Sequence, residues 1–194
     1  MLRTLLLSSL CLCAALLPTA CFKKKTPPTT AAAHVFKAPS IGLSMAQAKG
    51  WIQEITDPNH DGVVLKLVRE ASVPGSPRID VTVEPAQNPP VTLDAFLHQN
   101  LQEMGLLDKN GDVVIQEVSQ NKILLDTQEA YRVQYTYHVG SDPHTQVSIT
   151  QWSLFTVVEN KGVAITAAGR TELFHPVAAD IEYLFSSVSF KRLH

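Results

Sequence analysis

Residues 129–158 limit what this chain can fold into more than any other stretch of its sequence. Tyr131, Val133, Tyr135, Tyr137 and Val139 alternate with Arg132, Gln134, Thr136 and His138. This period of two belongs to a strand with two unlike faces. The segment 147–158 begins the same way, then turns apolar on both faces through Trp152, Leu154, Phe155, Val157 and Val158. Such a strand runs from a half-exposed region into one covered on both sides. The connection between the two segments is short, which an antiparallel pair allows and a parallel crossover does not.

Other segments extend the same plan. Strands are predicted at 41–45, 50–55, 63–68, 78–84 and 162–169, with Pro74-Gly75-Ser76-Pro77 turning between two of them. Segments 113–118 and 122–126 are expected to pair across Ser119, Gln120 and Asn121. A hairpin there would bring Glu117 near Asp126 as a carboxylate pair; otherwise the two are unrelated surface charges. Residues 92–107 carry the helical spacing Leu93, Phe96, Leu97, Leu101 and Met104. Thr92 is placed to cap that helix, and Asp94 suits its positive end. Pro176 is expected to open a last helix, whose stripe is Val177, Ile181, Leu184, Phe185 and Val188. Two amphipathic helices must bury their stripes on the sheet. The fold class is therefore α+β, an antiparallel β-sheet flanked by two amphipathic helices.

Several of these segments resemble a known family. Ile41-Gly42-Leu43-Ser44-Met45 followed by Gly50-Trp51 is similar to the opening of PsbP-like domains. The helix start Thr92-Leu93-Asp94-Ala95-Phe96-Leu97, the strand Ala130-Tyr131-Arg132-Val133-Gln134-Tyr135-Thr136 and the ending Phe185-Ser186-Ser187-Val188-Ser189-Phe190 fit the same pattern. The resemblance covers residues 41–193 and extends to the extrinsic PsbP subunit of photosystem II and to envelope lipoproteins of the DcrB type. It implies an α/β/α sandwich. It implies no activity, because such domains act mostly as accessory or binding proteins with unlike partners.

The N-terminal segment speaks to address. After Met1-Leu2-Arg3-Thr4, residues 5–17 are Leu, Ala, Cys and Ser. This is a short positive region followed by an apolar one. The apolar run is shorter than the ~20 residues that cross a bilayer, and Lys23, Lys24 and Lys25 prevent its extension. The end, Leu16-Leu17-Pro18-Thr19-Ala20-Cys21, resembles a bacterial lipobox. Residues 1–20 are read as a signal peptide and Cys21 as the lipid-bearing residue, with cleavage by an ordinary signal peptidase as the rival. Residues 21–40, with Pro27, Pro28 and Pro39, are expected to be a tether, semi-rigid in part. Residues 41–194 form the globular domain, expected to be monomeric. Of three cysteines, Cys11 and Cys13 leave with the leader, so the domain has neither thiol nor disulfide.

Chemistry is sparse. Of 16 Lys+Arg, Arg3 leaves with the leader, so 15 face 18 Asp+Glu. That near-balance argues against nucleic acid. Asp57-Pro58-Asn59-His60-Asp61-Gly62 matches the first half of a calcium loop. Val68 stands where a bidentate glutamate would be needed. Asp57, Asn59 and Asp61 are thus either a weak divalent site or part of a hairpin turn. The seven histidines show no HExxH spacing, and no nucleophile elbow, P-loop or dinucleotide glycine motif occurs. Tyr131, Tyr135 and Tyr137 are a candidate recognition surface or, alternatively, a core face under a helix; Trp51 and Trp152 read as core. No cofactor is expected. The leading expectation is a non-catalytic binding or accessory module, lipid-anchored to the bacterial cell envelope and facing the periplasm, with an envelope protein as partner. Phe22, where inner-membrane retention commonly has aspartate, favours the outer membrane. A small-ligand or divalent-ion binder is the first alternative. A hydrolase is the second and would need a nucleophile–base pair.

Overall fold

The computed structural model describes residues 35–56, 62–85, 90–107, 113–140 and 146–191. Among these, the main sheet has seven strands: β3 (Trp51–Glu54), β4 (Val63–Arg69), β5 (Arg78–Val83), β6 (Val113–Leu125), β7 (Gln128–Val139), β8 (Val147–Val158) and β9 (Lys161–Arg170). Their spatial order is β3-β4-β5-β9-β8-β7-β6, and every pairing is antiparallel. A smaller sheet joins β1 (Val35–Ala38), β2 (Leu43–Ala46) and β10 (Ser189–Phe190), with β2 in the middle. The helices are α1 (Leu93–Leu107), the single turn α2 (Thr171–Phe174) and α3 (Ala178–Ser186).

The alternation seen in the sequence sorts the residues into layers. Leu65, Leu67, Ile79, Val81, Leu154, Val163 and Ile165 are buried on one face of the main sheet. Over them lie Ile181, Leu184 and Phe185 of α3 with Phe36, Leu43 and Met45 of the small sheet. The opposite face carries Val133, Tyr135, Phe155 and Ala164 under Phe96 and Leu97 of α1. Strand β8 is sandwiched between the two layers, and Ser153, Leu154, Phe155 and Thr156 are all buried. This is the doubly covered segment that the sequence predicted.

Local chemistry sets the element ends. The Thr92 hydroxyl accepts the Ala95 N–H at 3.2 Å, so Thr92 caps α1. Gly162 lies where Phe96 crosses the sheet: a Cβ there would stand 2.5 Å from the Phe96 ring. Gly42, at φ 64°, turns the chain into β2. Its carbonyl accepts the Lys191 N–H at 2.9 Å, and a side chain there would meet the Lys191 carbonyl oxygen at 2.0 Å.

Four details differ from expectation. The tether expected through residue 40 instead ends in β1, because Phe36 and Ala38 are buried against the core; the folded domain starts before residue 41. Ile41 belongs to a 3-10 turn with Pro39, so the strand expected from 41 begins at Leu43. The hairpin expected across residues 119–121 is one continuous strand, β6, paired with β7 from Val113 to Leu125 with a register shift between Ile115 and Glu117. Its polar run is exposed because β6 is the sheet edge, and Glu117 pairs with Thr136 rather than approaching Asp126. Pro176 sits in a 3-10 turn, His175–Val177, just before α3. The side chain of Met104 lies outside the described residues.

Candidate functional site

Asp57, Asn59 and Asp61, expected as either a weak divalent site or part of a hairpin turn, lie outside the described residues, as does Cys21. The tyrosine stripe faces α1. The Tyr131 hydroxyl donates to Asp94 at 2.8 Å, and this bond raises its pKa. Tyr135 is 4% exposed and accepts a hydrogen bond from Gln151; burial pushes its pKa well up. Tyr137 stacks at a tilt, 6.0 Å from Tyr135. The stripe is therefore a core face already occupied by a helix. Trp51 and Trp152 are core-facing too, and each has an arginine over its ring, Arg69 at 5.8 Å and Arg132 at 5.3 Å. These arginines hold α3 at both sides: Arg69 bonds Asp180 at 3.0 Å, and Arg132 makes a two-pronged contact with Glu182, one prong at 2.8 Å. Ser44 is tied to Ser189, hydroxyl to hydroxyl, at 2.9 Å.

An open cleft of about 500 Å³ lies between the β2–β3 connection, the start of β3 and α3. Local turns build its wall. The Trp51 N–H bonds the Ala48 carbonyl at 3.2 Å, and the Glu70 N–H bonds the Gly50 carbonyl at 2.9 Å. Gly50, at φ 76°, makes that approach possible. Trp51 is 1% exposed, and its indole N–H has no partner among the described residues. Ile52 and Tyr183 also line the cleft and remain 40% and 52% exposed. Lys49 and Glu70 add one charge of each sign.

The cleft thus offers an apolar, aromatic surface with a few polar groups beside it, in the size range of ~300–1,000 Å³ that holds small ligands. Sequence reasoning named only part of it. Gly50-Trp51 was visible as a motif, whereas Tyr183 sits outside the apolar stripe of α3 and gave no signal.

No protein-family model and no curated protein matches the chain. Solved structures do match. The solution structure of cyanobacterial PsbP from Synechocystis aligns with a TM-score of 0.62 at 13% identity, over 86% of this chain and 97% of that one. The fold is PsbP-like. A second match is LpqN of Mycobacterium tuberculosis, described as involved in cell envelope biogenesis. It has a TM-score of 0.50 and 9% identity, over 77% of this chain and 83% of that one. At these identities the likeness is one of fold, and the PsbP-like fold carries no reaction with it.

Proposed function

We propose that this protein is a lipid-anchored accessory protein of the bacterial envelope, whose PsbP-like domain recognises an envelope partner without transforming it. One observation carries the recognition part: Tyr183 and Ile52 stand exposed in an open cleft whose wall is fixed by the turns around Gly50. Tyrosine is enriched at interfaces because one side chain supplies both apolar area and a polar tip. The address rests on the apolar leader and on Ala20-Cys21. A diacylglyceryl thioether at Cys21 with an amide-linked chain supplies the two hydrophobic signals that stable anchoring takes.

The test has two arms. Cys21→Ser should leave the chain unprocessed or release it from membranes in high salt; fractionation equal to the wild type rejects the anchor. A photo-crosslinking residue at Tyr183, in native membranes, should give one adduct of defined mass, and the same residue at Leu124 should give none. Adducts at both positions, or at neither, reject the cleft as the recognition site. A small ligand is the second reading, favoured by the cleft's volume and its Lys49 and Glu70. A saturable rise in melting temperature with ligand would select it.

A further inference from the structure

The face of the main sheet that carries α3 is not covered along its whole length. Ladder register sets Ser119 of β6 beside Gln134 of β7, Gln134 beside Trp152 of β8, and Thr136 beside Thr150. Gln134 and Thr136 alternate with Val133 and Tyr135, which face α1, so they point to the α3 side. Trp152 and Thr150 share that side with Leu154. Just before α3, where the chain turns through His175–Val177, these five side chains and the exposed His175 line a pocket of about 160 Å³. That is below the ~300–1,000 Å³ of sites for drug-sized ligands, so it suits one small molecule. It shares no lining residue with the cleft at Tyr183.

The pocket's hydrogen-bonding groups are fixed from behind. Arg132 has donors only. Gln134 therefore turns its carboxamide oxygen to Arg132, accepting from Nη2 at 2.6 Å and from Nε at 3.1 Å. Its NH2 end is then the one 3.5 Å from the Ser119 hydroxyl. Arg132 is held in turn by Glu182 and lies over the Trp152 ring at 5.3 Å. Phe174 fixes that ring from another side, edge-on at 5.0 Å. Thr150 is 5% exposed and its hydroxyl donates to Thr171 at 3.0 Å, which leaves it acceptor capacity for the pocket. The hydroxyls of Ser119 and Thr136 can donate or accept. The lining residues include no carboxylate, lysine or arginine, and the one guanidinium behind them is engaged by Glu182 and Gln134. A matching ligand is uncharged, carries several groups that both donate and accept, and has an apolar C–H surface to lay on the indole.

We propose that this pocket binds a small neutral polyol, a single sugar ring in size and chemistry. This goes beyond the function proposed above and uses a separate site, so either can fail without the other.

Titration of the full chain, in micelles of a detergent without a sugar headgroup, tests this. The chain has two tryptophans, so isotope-labelled indole gives two magnetic-resonance signals, assigned by Trp152→Phe. Glucose should shift the Trp152 signal saturably at millimolar concentration and leave that of Trp51 in place. Thr136→Val keeps the side-chain volume and should weaken binding about tenfold, as when a polar contact is left unmade, whereas Thr136→Ser should retain it. Gln134→Leu should also lose it. A signal that does not move, or that drifts linearly along with that of Trp51, overturns the proposal. So does equal affinity in wild type and Thr136→Val. A response to glucuronate or glucosamine as strong as that to glucose assigns the pocket to a charged ligand and overturns it too. Maltotriose separates two sources of such a ring. Binding equal to that of glucose upholds the proposal with the end of a glycan as ligand, and weaker binding upholds it with a free monosaccharide.

Discussion

Phe96 and Gly162 meet so closely that neither can change alone. A methyl group at Gly162 would sit 2.5 Å from the Phe96 ring, and that ring also packs edge-on against Phe155 at 5.9 Å. Gly162→Ala should therefore cost about 1–3 kcal/mol, the usual effect of overfilling a core. Urea titration should show a lower midpoint, and Phe96→Leu in the same chain should recover part of it. An unchanged midpoint would mean that α1 can shift. Tyr135 gives a second expectation. Burial raises its pKa in the folded state, so the unfolded chain loses the phenolic proton first. Its contribution is fully present below the ordinary tyrosine pKa of ~10 and is lost as pH rises above that. Stability should fall on the alkaline side, and Tyr135→Phe should flatten the slope, leaving a smaller one from Tyr137, whose pKa burial raises, and from Tyr131, whose pKa the bond to Asp94 raises. Identical slopes would show that the hydroxyl is solvated. The sequence assigned these tyrosines to one face because a strand alternates. What covers that face depends on where α1 lies, and a periodic pattern cannot say which of its open readings, a recognition surface or a core face, applies.

Helix α3 is fastened from both sides of its layer. Arg69 reaches it from β4 and Arg132 from β7, each stacked on a tryptophan. The Arg132 side chain is 23% exposed and that of Glu182 48%, so solvent screens the pair and a modest energy is expected. A double-mutant cycle on Arg132→Ala and Glu182→Ala should give a coupling of about 0.5–1 kcal/mol. A value near zero would mean that Arg132 acts only by packing on Trp152. Elements with strong local signals were legible. The Thr92 cap, the α1 stripe and the doubly covered β8 all follow from side-chain pattern. Strand β6 misled because Ser119, Gln120 and Asn121 have the composition of a turn. An edge strand tolerates such residues where its outward side meets water, and the ladder to β7 carries them straight. Strand β1 was hidden for a different reason. Four residues after a proline-rich stretch give little periodicity, and burial of Phe36 and Ala38 comes from distant partners. The cleft is a meeting of three separate elements, so its sequence signal was confined to Gly50-Trp51.

For the molecule as a whole, the boundary at β1 has a direct consequence. A fragment starting at residue 41 lacks Phe36, which is 5% exposed in the core; losing a buried phenylalanine alone costs about 3–5 kcal/mol. Such a fragment should melt well below one that starts at Val35, and equal melting would show that β1 is peripheral. The small sheet also has a history in time. Strand β2 lies between β1, its neighbour across the four-residue connection 39–42, and β10, whose Ser189 meets Ser44 from 145 positions further along the chain. Closing so long a loop is entropically slow unless the rest of the domain has already brought the strands together. The β1–β2 hairpin can form early, but its other edge must wait. Under the export proposed above this delay has a use, because the small sheet cannot close while its last strand is still absent. Pulse-labelled amide exchange during refolding should find the Lys191 N–H, bonded to Gly42, among the last to gain protection; protection as early as that of β8 would refute this order.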